Sequence, residues 1–337
     1  MATRIGINGF GRIGRQALKA ILNHSSRDLE VVAINDLTDT QTHAHLFKYD
    51  STYGQFAGEV EAQENAIVIN GQRIVITAHT SPGAIPWGDL GVDLVIESTG
   101  RFTEAVKAAG HLEAGARKVL ISAPATGEDV MIVPGVNEAM YNPERHRIIS
   151  AGSCTTQCVA LTAQVLNEAF GIEYGMMNTV HSFTSDQCLQ DNVHSDLRRA
   201  RAATGNIIPT TTGAARALHL VIPELKGRFD GISFRVPTAT VSVADLVVTT
   251  RNEVSVENIN TAFQNAATGP LKGYLNYTKL PLVSSDFRGD THSSIIDGLS
   301  TMVLGQNMAK VVAWYDNEWG FSNRVADLSA FLGRQGF

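Results

Sequence analysis

The sequence predicts an α/β and α+β chain in two parts. Residues 1–153 read as a doubly wound, mostly parallel sheet, and 154–316 as a mixed or antiparallel sheet covered by helices. A last helix within 317–337 docks back on the first part. Three observations predict this. Near the start, a short apolar strand runs into a Gly-x-Gly-x-x-Gly turn and a helical pattern. Strand and helix patterns then alternate through the first half. Beyond the middle, long strands follow one another with few crossover helices.

The first strand is Arg4-Ile5-Gly6-Ile7-Asn8. It enters Gly9-Phe10-Gly11-Arg12-Ile13-Gly14, and apolar positions at Ile13, Ala17, Leu18, Ile21 and Leu22 carry a helix. The second strand, Val31-Val32-Ala33-Ile34, ends in Asn35-Asp36, about twenty residues past the glycines. Strand, glycine turn, helix and acid in that order mark a Rossmann-type dinucleotide site, with the backbone close to a pyrophosphate at the helix start. Asp36 would accept from the adenosine ribose hydroxyls and repel a 2′-phosphate, which favours NAD over NADP; Leu37 supplies no compensating cation. Ala66–Ile69 and Arg73–Ile76, split by Asn70-Gly71, read as an added β-hairpin. Val92–Glu97 is a buried strand ending at Ser98-Thr99-Gly100, a helix spans Glu104 to Gly115, and Lys118–Ser122 is the next strand. Small polar residues at those strand ends, Asn8, Ser98, Thr99 and Ser122, sit where such folds bind ligands.

Ser153-Cys154-Thr155-Thr156 follows the apolar pair Ile148-Ile149 and opens a helix that Gly171 ends. Unpaired N–H groups and the helix dipole favour a thiolate there, the nucleophilic form. Taken alone, such a cysteine reads equally as a buried structural residue. Strands are expected at Met176–His181, Gly231–Val236, Val241–Thr249 and Lys310–Trp314, with covering helices at about 213–220 and 256–267. His181, at a strand end, is a natural base for a cysteine, or else a structural histidine. Arg198, Arg199 and Arg201 crowd one short stretch, and Arg198 and Arg201 read as a solvated face or intersubunit ion pairs. Pro209-Thr210-Thr211-Thr212-Gly213 ends a loop with hydroxyls at a helix start, a place that suits phosphate. Arg235 closes an apolar strand, where a cation needs an anion.

With 337 residues, the chain is long enough for two cores. A net charge of −6 gives no general attraction to nucleic acid or anionic membrane. No apolar run is long enough to span a bilayer. The start, Met1 to Ile5, is polar and strand-like, without a signal-peptide pattern. Three cysteines lack metal-type spacing, so no metal site is expected, and a reducing cytoplasm fits.

With these residues assembled, the chain resembles the phosphorylating glyceraldehyde-3-phosphate dehydrogenases over essentially its whole length. The resemblance rests on Asn8 to Arg15, Glu97-Ser98-Thr99-Gly100, Ser153 to Thr156, Leu197 to Arg201, Arg235-Val236-Pro237-Thr238 and Trp314-Tyr315-Asp316-Asn317-Glu318. It implies Cys154 as nucleophile and His181 as base. It implies Thr184 and Arg235, with Asp186 nearby, for the substrate phosphate. Ser153, Thr155, Arg199, Thr212 and Gly213 would hold inorganic phosphate. Asn8, Gly9, Gly11, Arg12, Ile13, Asp36, Ser98, Thr99 and Ser122 would hold NAD, with Asn317 on the nicotinamide carboxamide. It further implies glyceraldehyde 3-phosphate and inorganic phosphate as ligands, a homotetramer with a loop from about 182 to 203 against a neighbour's cofactor, and no membrane or primary nucleic-acid ligand.

The chain departs from the family at the nucleophile. Ser150-Ala151-Gly152-Ser153-Cys154-Thr155-Thr156-Gln157-Cys158 replaces the usual Ser-Asn-Ala-Ser-Cys-Thr-Thr-Asn-Cys. Asn192-Val193 stands for the Leu-Pro of NAD-specific members, which loosens the expectation of strict NAD use. Two rival readings are an erythrose-4-phosphate dehydrogenase and a binding or regulatory paralogue without catalysis. Thr184 and Thr212-Gly213 speak against the first rival, and intact Cys154, His181 and Arg235 against the second.

Overall fold

A computed structural model describes residues 2–24 and 28–337; Met1, at the head of the expected strand-like start, lies outside them. They form two compact units. The first contains the described residues up to Ile132, with Ala139–Gly152 and Ser322–Phe337, and the second Val133–Glu138 and Ser153–Phe321.

The first unit is built on a sheet of nine strands among the described residues. In spatial order it runs Val130–Met131, Ile148–Ser150, Lys118–Ile121, Leu94–Glu97, Thr3–Asn8, Leu29–Asn35, Gln72–Thr77, Ala66–Ile69, Val60–Gln63. Pairing is parallel up to Gln72–Thr77. The hairpin read from Asn70-Gly71 then adds two antiparallel strands. Asn70 and Gly71 both take left-handed φ, 50° and 81°, as the turn requires. Leu94–Glu97 and Lys118–Ile121 are buried throughout, and Ile5, Ile7, Val95, Ile96, Val119 and Leu120 fill the core on both faces of the sheet. The helix expected over Glu104 to Gly115 is instead two short turns, Ala105–Ala108 and Gly110–Glu113. Gly110, a poor helix former, stands at the break, and a Cβ there would press on the neighbouring loop at 3.0 Å from Gly83 N. Near the end of the chain, Gly333 packs on Thr3, where a Cβ would lie 2.1 Å from its Oγ1.

The second unit carries an eight-stranded mixed sheet. Ile172–Ser182 lies between Phe229–Val236, which it pairs in parallel, and Ser242–Thr250, which it pairs antiparallel. Met308–Tyr315 follows antiparallel on Ser242–Thr250. The helix Cys154–Phe170 packs on this sheet and against the helix Val256–Thr268. Gly171, at φ 69°, ends the first of these as its sequence position predicts. Two expectations change. Ile208–Thr211 is an edge strand rather than loop, paired with Phe229–Val236. The helix expected over 213–220 is one α turn, Ala214–Ala217, and a 3-10 turn, Leu218–Leu220. β-branched Val221 and Ile222 before Pro223 stop it there.

Candidate active site

In the second unit the sheet and one helix bring Cys154 and His181 together. Ser153 caps the helix Cys154–Phe170, its hydroxyl accepting from Thr156 N at 3.0 Å. Cys154 begins the helix with Sγ 3.4 Å from His181 Nε2. His181 comes from the end of Ile172–Ser182, and its Nδ1 lies 2.7 Å from the carbonyl oxygen of Ser182. A carbonyl only accepts, so Nδ1 carries the proton and Nε2 presents a lone pair to the sulfur. Arg235 Nη1 lies 3.3 Å from the same Nδ1, but its shorter bond, 2.8 Å, goes to Thr184 Oγ1. Burial, then Arg235, hold the imidazole down to about 3, so it is neutral near pH 7. Burial also pushes the Cys154 thiol up, against Arg235 and hydrogen bonds from Thr155. This corrects the sequence expectation: burial, not the helix start, is the largest influence on this thiol.

Buried Tyr315 supports the pair. Its hydroxyl bridges Thr155 at 2.9 Å and Thr179 at 2.8 Å, and its ring meets His181 edge-on at 6.1 Å. The Thr155 side chain is thus engaged inside the unit. Thr184 accepts from Arg235 and donates to Asp186, and Arg199 reaches Asp186 at 2.6 Å and Thr210 at 3.0 Å. Burial would raise Asp186, but Thr184 and Arg199 hold its carboxyl below the usual range. Thr184, Asp186, Arg199 and Arg235 therefore form one cluster, although sequence reasoning split them between two phosphate sites. Thr212 accepts from Ala214 N at 3.2 Å, beside Gly213 at the start of its short helix. Arg201 is exposed and pairs with Asp191 at 2.8 Å. Asn317 Oδ1 accepts from Ser182 Oγ at 2.9 Å and Ser242 Oγ at 3.0 Å, which turns its NH2 the other way. Asp316 fixes that segment by accepting from the backbone of Glu318 and Trp319.

The first unit holds a cleft of about 340 Å³. Asn8, Gly9, Gly11, Asp36, Ser98 and Thr99 line it, with Asn35, Leu37, His79, Thr80, Arg101 and Phe102, which sequence reasoning did not assign to a site. Arg12 and Ile13 lie in the first turn of the following helix and Ser122 at a strand end, outside that lining. The residues fit a dinucleotide. Gly9, at φ 90°, packs so closely that a Cβ would lie 2.7 Å from Thr99 N, and a Cβ on Gly14 would lie 2.2 Å from Gly9 O. Gly11 has nothing within 4 Å, so its bare backbone faces open space, where a Cβ would intrude on a phosphate. Asp36 is set by Phe10 N at 2.7 Å and Thr38 N at 3.1 Å.

Comparison with known proteins gives the same answer for both halves. The NAD-binding domain of glyceraldehyde 3-phosphate dehydrogenase matches residues 3–105, and the C-terminal domain of the same enzyme matches 153–317. The chain belongs to the glyceraldehyde-3-phosphate dehydrogenase family. It is 56% identical over 336 residues, all of both chains, to glyceraldehyde-3-phosphate dehydrogenase of Geobacillus stearothermophilus. It is 56% identical over 333 residues to glyceraldehyde-3-phosphate dehydrogenase 2 of Streptomyces arenae, 99% of each chain. Identity to glyceraldehyde-3-phosphate dehydrogenase 1 of Bacillus subtilis strain 168 is 54% over 336 residues, all of both chains. The family is NAD-dependent, which agrees with the glycine turn and Asp36.

Around Cys154 and Asn317, sequence reasoning also missed Ser182, Ser242, Tyr315 and Asp316. Tyr315 and Asp316 lie inside a motif quoted for the resemblance, so a signal was there. Ser182 and Ser242 carried none, because their partners are far along the chain.

Proposed function

We propose that this protein oxidises D-glyceraldehyde 3-phosphate to 1,3-bisphosphoglycerate with NAD, the first unit serving as cofactor domain and the second as catalytic domain. One observation carries the chemistry: the lone-pair nitrogen of a neutral imidazole stands 3.4 Å from a cysteine sulfur at a capped helix start. The Cys154 sulfur bonds to the aldehyde carbon while His181 Nε2 takes the thiol proton, giving a hemithioacetal. The imidazolium then faces the new oxygen and steadies its charge. When bound, NAD supplies the acceptor for the hydride that leaves this carbon. The carbon becomes a Cys154 thioester, and inorganic phosphate attacks it, releasing the acyl phosphate and restoring the thiol.

Thr184 and Arg235 suit the phosphate of the substrate. Arg199, Ser153, Thr212 and Gly213 suit the attacking phosphate, with Asp186 holding Arg199 in place; the Thr155 hydroxyl is taken by Tyr315, so that residue would serve only through its backbone. The NH2 of Asn317, aimed by the two serines, suits the carboxamide oxygen of the nicotinamide. A homotetramer is the assembly we assign. Tyr174, Met176 and Val180 are exposed on one face of Ile172–Ser182, and apolar side chains there suit contact with further copies. No helix among the described residues is long and apolar enough to cross a membrane, and the cytoplasm is the compartment we assign.

The test is formation of NADH and NADPH from glyceraldehyde 3-phosphate, with and without phosphate. The wild type should require phosphate and prefer NAD. Cys154→Ser should lose on the order of 10⁴-fold or more in turnover. Phosphate-independent reduction, or an active Cys154→Ser, would remove the proposal.

A further inference from the structure

Behind the cleft of the first unit runs a buried chain of hydrogen bonds that joins its walls. Its centre is Glu97, the last residue of Leu94–Glu97, with its side chain 1% exposed. Glu97 Oε2 meets Asn8 Nδ2 at 2.6 Å and His111 Nε2 at 2.9 Å. Its Oε1 accepts from Thr99 N at 2.8 Å and Thr99 Oγ1 at 2.5 Å. Beyond the histidine, Trp87 Nε1 lies 2.9 Å from His111 Nδ1. Beyond Asn8, its Oδ1 accepts from Asn35 Nδ2 at 2.8 Å. Asn35 is gripped by one peptide, its Oδ1 accepting from His79 N at 2.8 Å and its Nδ2 donating to His79 O at 2.9 Å.

The direction of each bond is set from the two ends. An indole N–H only donates, so His111 Nδ1 accepts and the ring proton sits on Nε2, aimed at Glu97. At the other end the His79 peptide orients Asn35. Asn35 then orients the oxygen of Asn8, which leaves the Asn8 NH2 for Glu97. Four donors converge on one side chain, and only a carboxylate accepts all four.

We propose that Glu97 is the positioning residue of the NAD cleft: it sets the spacing and donor direction of the walls at Asn8 and Thr99 without lining the cleft, and Trp87 locks it in that state. The proposal rests on reading this cleft as the NAD site. It also means that the hydroxyl proton of Thr99 is committed to Glu97 and that of Ser98 to Gly9 O at 2.7 Å. Neither is then offered to a cofactor.

Replacement of Glu97 by glutamine tests this. With its oxygen kept on Thr99, the new NH2 faces the NH2 of Asn8 and the N–H of His111. His111 can accept from it only by moving its proton to Nδ1, where the Trp87 N–H stands. Dissociation constants for NAD, measured by calorimetry, should be about tenfold or more weaker in Glu97→Gln than in wild type. The double variant Glu97→Gln, Trp87→Phe should bind about threefold or more tighter than Glu97→Gln alone, since Nδ1 is freed to take the proton. A merely structural role gives the reverse order, because Trp87→Phe removes a buried hydrogen bond and core volume. That order, or unchanged affinity in Glu97→Gln, overturns the proposal. A wild type that does not bind NAD overturns instead the reading of the cleft. If Glu97→Gln does not fold, ¹⁵N shifts of His111 in the wild type at pH 8 decide: a proton on Nε2 and none on Nδ1 supports the lock, and the opposite tautomer overturns it.

Discussion

Each unit buries a histidine against a partner of acidic type, and the two rings are set to opposite tasks. His111 in the first unit faces Glu97, and His181 in the second faces Cys154, each through Nε2. The difference lies at the other nitrogen. Trp87 Nε1 donates to Nδ1 of His111, so the ring proton sits on Nε2 and the imidazole is a fixed donor. The Ser182 carbonyl accepts from Nδ1 of His181, so Nε2 is bare and the imidazole is a base. The partner of the nitrogen that does no chemistry decides what the other one does.

The largest effect expected from breaking this contrast is at His181. His181→Asn removes the base and should cost about 10²- to 10⁴-fold in turnover with NAD affinity kept. His111→Asn should do the reverse, weakening NAD with the alkylation rate of Cys154 unchanged. Steady-state kinetics beside NAD titration separate the two; if both variants fail in turnover alone, the contrast is gone. Acid comes next. Unfolded, His181 takes a proton near pH 6.5, whereas in the fold it resists down to about 3. In that window the unfolded chain binds more protons, so stability from this group is complete above 6.5 and is lost as pH falls. The loss relative to His181→Asn should reach about 2 kcal/mol at pH 5. Unfolding midpoints of both proteins across pH 5 to 8 check it, and parallel curves would contradict it.

A third buried histidine sharpens the comparison, since both nitrogens of His43 lack a hydrogen-bond partner among the described residues. Nε2 stands 3.6 Å from Asp36, beyond hydrogen-bonding length. His43→Leu should therefore raise stability by about 1 kcal/mol, read as a higher unfolding midpoint. A lower midpoint would mean that the ring has a task not seen here. The smallest effect is expected beside the nucleophile, where Ala151 and Gln157 are buried and Gly152 turns the chain at φ 65°. Ala151→Asn with Gln157→Asn should change the inactivation rate by thiol reagents while turnover persists. Equal rates would discard the link.

Much of this was legible in the sequence, and the reason is distance along the chain. The glycine turn, its strand, its helix and Asp36 lie within the first 36 residues, so periodicity and spacing expose them together. The cysteine helix shows its start at Ser153 and its stop at Gly171 for the same reason. What was hidden depends on side chains far apart. Glu97 read as the tail of an apolar strand, and nothing near it announces Asn8, 89 positions away. Arg235 at a strand end called for an anion, and only the resemblance joined it to Thr184, 51 positions away; the fold adds their direct hydrogen bond and the link to Arg199 through Asp186. The break at Gly110 in the helix expected over Glu104 to Gly115 goes with its close approach to Gly83, 27 positions away. The raised thiol was missed because burial is a property of the whole unit, not of a helix end.

One further consequence follows from Ser182. The atom that dictates the protonation pattern of His181 is its main-chain carbonyl, which every amino acid carries. Mutation at this position can strip away the hydroxyl that steers Asn317, yet it leaves the wiring of the base in place. The tautomer of His181 is thus insulated from genetic drift, while the orientation of Asn317 stays open to change at the same codon.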